Sequence, residues 1–182
     1  MANILDAKKQ SFFPEDNIMI DTNVWIYMEG PEAAAHDRGY SDIYYQMLES
    51  GAKLYVNFSI ISEFINHSIY LSYDSFRIKR GFTRKEFPFK NCYKKEQDFK
   101  EHYAICLGTV EEDILSKATL ITTYSDSGKK AFEDSKKLGN ILDFNDFIII
   151  EDSLRNNCKV LTADGDYAKY PGTSLKVITN ES

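Results

Sequence analysis

The sequence predicts an α/β fold, with a central, mainly parallel sheet and helices packed on both of its faces. Three observations predict it. Short apolar or β-rich runs alternate with longer segments of helical spacing, which is the order that βαβ units leave in a chain. One of those runs, Ile18 to Ile20, is apolar at every position, as a strand buried on both faces requires. The chain's 182 residues, 43% of them apolar, suffice for a single domain with one core.

The elements follow in order. Ile18 to Ile20 reads as a buried strand that stops at Asp21, and "VWIYM" as the entry to a helix. "YSDIYYQMLESG" places Ile43, Tyr44, Met47 and Leu48 at helical spacing, with Gly51 as its C-terminal stop. "AKLYVNFS" alternates and is rich in β formers. The helical "SIISEFINHSIYLSY" follows, with Ser59 as its expected N-cap and Glu63 in about its first turn. Residues 72 to 95 carry Gly81, Pro88 and several aromatics and yield no clear element. From Lys95 to Tyr124 the pattern reads as helical with a break near Gly108, and "SGKKAFEDSKKLG" as a short helix ended by Gly139. The last stretch predicts a capped helix at "DFNDFIII", a strand over Lys159 to Thr162, an acidic turn, and a strand over Ser174 to Thr179. Residues 1–17 are expected to be an extension preceding a domain that spans 18–182, with a basic and aromatic insertion at about 72–100.

Composition narrows the function classes. A net charge of −6 opposes general attraction to nucleic acid, but charge is segregated. Nine of the 22 Lys/Arg residues and only three of the 28 Asp/Glu residues fall between Phe76 and Lys100. Within that span "FRIKRGFTRKEFPFKNCYKK" interleaves Arg77, Lys79, Arg80, Arg84 and Lys85 with Phe82, Phe87, Phe89 and Tyr93. Such a composition suits phosphate contact and base stacking on single-stranded RNA, and equally a solvated face or a surface for an acidic partner. Cys92, Cys106 and Cys158 form no CxxC pair and are expected to be free thiols. No apolar run approaches the length of a membrane span and the N-terminal stretch has no leader-like core, so the expected location is the cytoplasm, without membrane attachment. His36, His67 and His102 stand alone and are read as solvent or packing residues, and Trp25 as a core residue.

In an open α/β sheet the ligand crevice lies beyond the carboxyl ends of the strands. Asp21, Glu63, Asp146 and Asp164 all occupy that position relative to their own elements. Each alone has an ordinary explanation: Asp21 as an N-cap, Glu63 and Asp146 as helix-start residues, and "ADGDY" as a turn. Asp143 and Asn145 read as caps. Gathered together, four carboxylates repel one another unless a cation neutralises them, and hard oxygen donors without His or Cys suit Mg²⁺ or Mn²⁺. A dehalogenase-type phosphatase is excluded because Asn23 stands where the second, acid-catalysing Asp would be needed. A calcium loop over "DGDYAKYPGTSL" fails at Leu175, where a bidentate Glu is required, and no GxxxxGK[ST] or GxSxG motif is present.

Three blocks, "IMIDTNVWIY", "NFSIISEF" and "DFNDFIIIEDSLRNNCKVLTADGDY", in that order, resemble the PIN-domain family of metal-dependent ribonucleases, which includes VapC-type toxins. The matching positions are Asp21, Thr22 and Asn23 at the first strand end, then Ser59 with Glu63, then Asp146, and then Thr162, Asp164 and Asp166. The resemblance implies a PIN-like three-layer α/β/α domain that cleaves RNA phosphodiester bonds with Mg²⁺ or Mn²⁺. It makes Asp21, Glu63, Asp146 and Asp164 catalytic metal ligands and Asp166 an outer-sphere contact to the metal, a role open to Asp143 as well. Asn23, Ser59 and Thr162 become orienting residues, while the basic and aromatic composition, apart from the resemblance, makes Arg77, Lys79, Arg80, Arg84 and Lys85 the RNA-binding candidates. It further implies a homodimer and, for a toxin, a protein antitoxin as partner. The N-terminal residues, the segment from about 72 to 110 and the polar "EDSLRNN" depart from a compact toxin. The alternative class is a PIN-like RNA-binding or protein-interaction module without catalysis.

Overall fold

The computed structural model describes residues 1–31, 33 and 37–180. His36 lies outside them. Six strands, β1 (Asn3–Asp6), β2 (Asn17–Ile20), β3 (Lys53–Asn57), β4 (Ala118–Ile121), β5 (Lys159–Leu161) and β6 (Lys176–Thr179), form one sheet in the order β1-β6-β5-β2-β3-β4. Every pairing is parallel. Among the described residues six α-helices accompany it in a three-layer α/β/α arrangement: α1 (Thr22–Glu29), α2 (Tyr40–Ser50), α3 (Phe58–Lys79), α4 (Gln97–Thr109), α5 (Ser125–Leu138) and α6 (Phe144–Arg155). No helix among them is long and apolar enough to cross a membrane.

Burial explains which strands the sequence shows. Ile18, Met19 and Ile20 in β2, and Val160 and Leu161 in β5, are fully buried, because these two strands sit at the sheet centre with a layer on each face. The outer strands differ. In β1, Asn3 and Ile4 face solvent, and in β4 Thr119 and Leu120 do, so neither carries an apolar run. The first seventeen residues therefore do more than precede the domain. Asn3 to Asp6 pair with Lys176 to Thr179 and extend the sheet by a strand. The helical expectation through Tyr124 is likewise corrected: after α4 and a π-helical turn over Val110–Leu115 the chain re-enters the sheet as β4.

Local chemistry sets the helix ends. Gly51 closes α2 at φ +75° and donates to the carbonyls of Leu48 and Met47, a conformation strained for any residue with a Cβ. The N-cap of α3 is Asn57 rather than Ser59: its Oδ1 accepts from the Ile60 N–H at 3.0 Å. Glu63 consequently lies in the second turn. The same Asn57 donates through Nδ2 to Asp152 Oδ2 at 2.8 Å, and Thr123 Oγ1 donates to that oxygen at 2.6 Å. Asp152 is fully buried, and Glu151 beside it meets Lys130 of α5. The polar "EDSLRNN" is thus the seam that joins α6 to the ends of β3 and β4 and to α5.

Helix α3 also runs on to Lys79, beyond the expected end at about residue 72. Most aromatics of the following segment pack inward. Tyr93 is fully buried and Phe87 nearly so. Phe89 stacks on Tyr70, with ring centroids 4.6 Å apart, and Phe82 stacks on Phe87. Tyr73, Phe87 and Tyr93 belong to the main core, with Phe76 and Phe89 packed against it, and the buried rings offer no face to a base; Phe82 stays exposed.

Candidate active site

Chain direction reverses between β2 and β5. From β2 the chain winds outward through β3 to β4, then returns past β2 to β5 and β6. The two adjacent strands therefore send their following segments in opposite directions, and a crevice opens at their carboxyl ends. Asp21 immediately follows β2, and Asp164 lies three residues beyond Leu161, the end of β5. Glu63 reaches the same crevice from α3, and Asp146 from the first turn of α6. With Asp143, Asn23 and His67 they line a cleft of about 230 Å³.

Asp21 is the best-held of the four. It is 4% exposed, and its Oδ1 accepts from the Thr22 N–H at 2.7 Å, which caps α1. Its Oδ2 accepts from Thr162 Oγ1 at 2.7 Å and from Asn23 Nδ2 at 2.9 Å. Thr162 is itself fixed, receiving the Asp164 N–H on its hydroxyl at 2.9 Å and the Tyr40 hydroxyl on its carbonyl at 3.1 Å. Asn23 closes the set, since its Oδ1 accepts from the Ala163 N–H at 3.0 Å. Cap and ligand are thus not rival roles for Asp21. One oxygen starts the helix, and the carboxylate as a whole is locked at the mouth of the crevice.

Glu63 accepts from Thr22 Oγ1 at 3.2 Å. Asp146 forms a capping box with Asp143: its Oδ2 takes the Asp143 N–H at 2.9 Å, and Asp143 Oδ1 takes the Asp146 N–H at 3.0 Å. Asp164 accepts the Asp166 N–H at 2.8 Å. Among the described residues none of the four is ion-paired to Lys or Arg.

The electrostatic consequence is visible in acidity. Burial, reinforced by the charges of Glu63 and Asp164, pushes the Asp21 pKa up to about 7. Burial, with Asp143, Asp21 and Asp164 nearby, does the same for Asp146, to about 7. Glu63 is also raised, again chiefly by burial. Groups so placed gain from any cation that enters. The donor set, all carboxylate oxygen apart from the exposed His67, fits a hard divalent ion. Among the described residues, no three ligating side chains are already drawn together as a coordination cluster, so donors surround an open space rather than a finished cage.

Two of the sequence candidates point elsewhere. The Ser59 hydroxyl donates to Asn145 Oδ1 at 2.9 Å and joins α3 to α6. The Asp166 carboxylate turns to Lys169. His67, read from sequence as a solvent or packing residue, lines the cleft, and its i+4 spacing from Glu63 was the signal that could have placed it there. A further residue that sequence reasoning missed is Tyr167. It is fully buried behind the cleft, and its hydroxyl lies near Asp146, Asp21 and Asp164, whose negative charges, together with burial, raise its pKa. Of the basic candidates, Arg77 and Arg84 both pair with Asp74, at 3.0 and 2.5 Å. Lys79 and Arg80 border a separate recess, and Lys85 is exposed.

A family model described as PIN domain matches residues 18–172, and the chain belongs to the PIN-domain family. Solved structures share the fold at low identity. VapBC from Salmonella typhimurium, crystallised bound to DNA, is 12% identical with a TM-score of 0.55, covering 91% of this chain and 99% of that one. VapBC2 from Rickettsia felis, bound to a DNA fragment from its promoter, is 13% identical with a TM-score of 0.54, covering 90% and 98%. FitAcB from Neisseria gonorrhoeae is 14% identical with a TM-score of 0.52, covering 88% and 96%. No curated protein matches the sequence.

Proposed function

We propose that this chain is a divalent-metal-dependent ribonuclease that hydrolyses RNA phosphodiester bonds, with Asp21, Glu63, Asp146 and Asp164 holding Mg²⁺ or Mn²⁺. The observation that carries the reading is the convergence of four carboxylates, from four separate elements, on one cleft without a Lys or Arg counterion among the described residues. Membership in the PIN-domain family supports it. A divalent cation bound there supplies the positive charge that a polyanionic substrate requires and acidifies water for attack on phosphorus.

The chain's own residues do the positioning. Asn23 and Thr162 aim Asp21 into the cleft, and Thr22 steadies Glu63. The capping box presents Asp146, and the Thr162 hydroxyl anchors the turn that bears Asp164. Asp143 and Asp166 are proposed to act beyond direct ligation. Phosphate contact belongs to the basic segment, where Lys79 and Arg80 are the best placed. We extend the proposal to a toxin restrained by a protein antitoxin, in keeping with the VapBC names of the similar structures, and further propose that it works as a homodimer in the cytoplasm.

RNA cleavage with and without Mg²⁺ or Mn²⁺, by the parent and by Asp21→Asn, tests the proposal. Metal-dependent cleavage lost in the variant is expected, and equal cleavage by both proteins would overturn it. The second reading, a non-catalytic binding module, is favoured by the absence of a closed coordination cluster among the described residues. It predicts no rise in melting temperature with Mn²⁺, whereas a metal that binds only the folded state must raise it.

A further inference from the structure

Helix α3 carries one row of residues at i, i+4 spacing: Glu63, His67, Leu71, Ser75 and Lys79. Such a row is a continuous ridge on the helix surface. Its first two members line the acidic cleft, and its last three line a different recess of about 420 Å³. A third hollow of about 330 Å³ adjoins that recess, sharing Pro31, Ser72 and His102 with it, and takes its own α3 wall from Phe64 and Ser68, beside Glu63 and His67. None of the five row residues is buried. Separate hollows thus lie along α3 from the carboxylates to its C-terminal end, about 24 Å apart along the axis at 1.5 Å per residue, while the row winds about 160° around the helix.

The far end has the opposite charge and a different lining. Lys79 and Arg80 border the recess, which Pro31, Leu71 and Phe76 line with apolar surface. Lys79 makes no ion pair among the described residues. Arg80 lies with its guanidinium 4.0 Å over the Phe76 ring and only 3.9 Å from Glu96, a loose pair that leaves donors for a phosphate. Among the described residues the recess is lined by one carboxylate, Asp98, which already accepts the Tyr93 hydroxyl and faces His102. Neighbouring Arg77 and Arg84 share Asp74, while Lys85, Lys90 and Lys95 are exposed on the same segment. What sets Lys79 and Arg80 apart is that they border a recess.

We propose that a single RNA strand lies along this ridge, with one phosphate group at the acidic cleft and a remote nucleotide held in the recess by Lys79 and Arg80. This rests on the ribonuclease reading and adds where Lys79 and Arg80 hold the strand relative to the cleft. An acidic peptide would find the charge of the recess equally attractive but would be repelled along the carboxylate end, whereas a nucleotide strand shares the cation there.

The test uses the full chain with its native carboxylates, and Ca²⁺ in place of Mg²⁺ to keep the cleft neutralised while slowing turnover. Fluorescence anisotropy follows a labelled single-stranded 12-nucleotide RNA and a dinucleotide across a salt series. Adding Lys79→Ala and Arg80→Ala is expected to weaken 12-mer binding about tenfold at 0.15 M salt and to make the log–log salt slope shallower by about 1.4, the value for two phosphate contacts on a single strand. Dinucleotide binding should be unchanged, because it cannot span the track. A control with Lys90→Ala and Lys95→Ala removes the same charge outside the recess and should keep the slope. Unchanged 12-mer binding in the first variant, or an equal loss in the control, overturns the track. Cleavage of the 12-mer by the parent with Mn²⁺ reports on the ribonuclease reading separately, so the two failures are distinguishable.

Discussion

Removing the charge at residue 21 should flatten the dependence of this protein's stability on pH. Asp21 has its pKa raised from 3.8 to about 7 in the folded state, and Asp146 likewise. A raised folded-state value means that, between those limits, the native chain binds more protons than the unfolded chain. The stability contributed is therefore complete below pH 4 and is lost as pH rises through 7. From pH 5 to pH 8 one such group removes roughly 2 to 3 kcal/mol, at 1.36 kcal/mol per pKa unit. Two uncoupled groups would set an upper bound of about 5 kcal/mol. Asp21→Asn eliminates one titration. Thr22 N–H, Thr162 Oγ1 and Asn23 Nδ2 all donate toward the native carboxylate, so the amide nitrogen meets donors and costs about 1 kcal/mol at every pH. That shifts the variant's curve without restoring its slope. Urea unfolding at pH 5 and pH 8 in EDTA measures both. If the parent loses no stability over this interval, or the variant loses as much as the parent, the electrostatic account of the cleft is wrong.

Other expectations share this basis. Mg²⁺ or Mn²⁺ should raise the melting temperature more at pH 8 than at pH 5, because the cation competes with protons for the same oxygens; calorimetry at both pH values checks it. Thr162→Val keeps the shape but deletes the donor to Asp21, and is expected to cost about 1 to 2 kcal/mol and to reduce cleavage well beyond its effect on melting. Asn57→Ala removes the α3 cap and leaves Asp152 with Thr123 alone, so chemical unfolding should show a loss of about 2 to 4 kcal/mol. Ser59→Ala, which severs only an exposed bond to Asn145, should change stability by less than about 1 kcal/mol.

What the sequence alone determined was local and one-dimensional. The Ile18 to Ile20 run announced a strand buried on both faces, Gly51 announced a left-handed helix stop, and Asp21-Thr22-Asn23 with Thr162-Ala163-Asp164 announced the two central strand ends, because each feature is written within a few consecutive residues. β1 and β4 were missed for the same reason reversed: as edge strands they bury too little to need an apolar run. Tertiary structure alone decided the rest. Placing β5 beside β2 lets the Thr162 hydroxyl reach Asp21 across 141 positions of chain, and the packing of α3 against α6 brings Glu63 and Asp146 to one cleft. Side-chain direction decided that Ser59 and Asp166 serve Asn145 and Lys169, that most aromatics after α3 join the core, and that Asn57 takes the cap expected of Ser59. Periodicity reports which face of an element is buried. Which charges meet depends on strand order and helix packing, where residues far apart in the chain become neighbours.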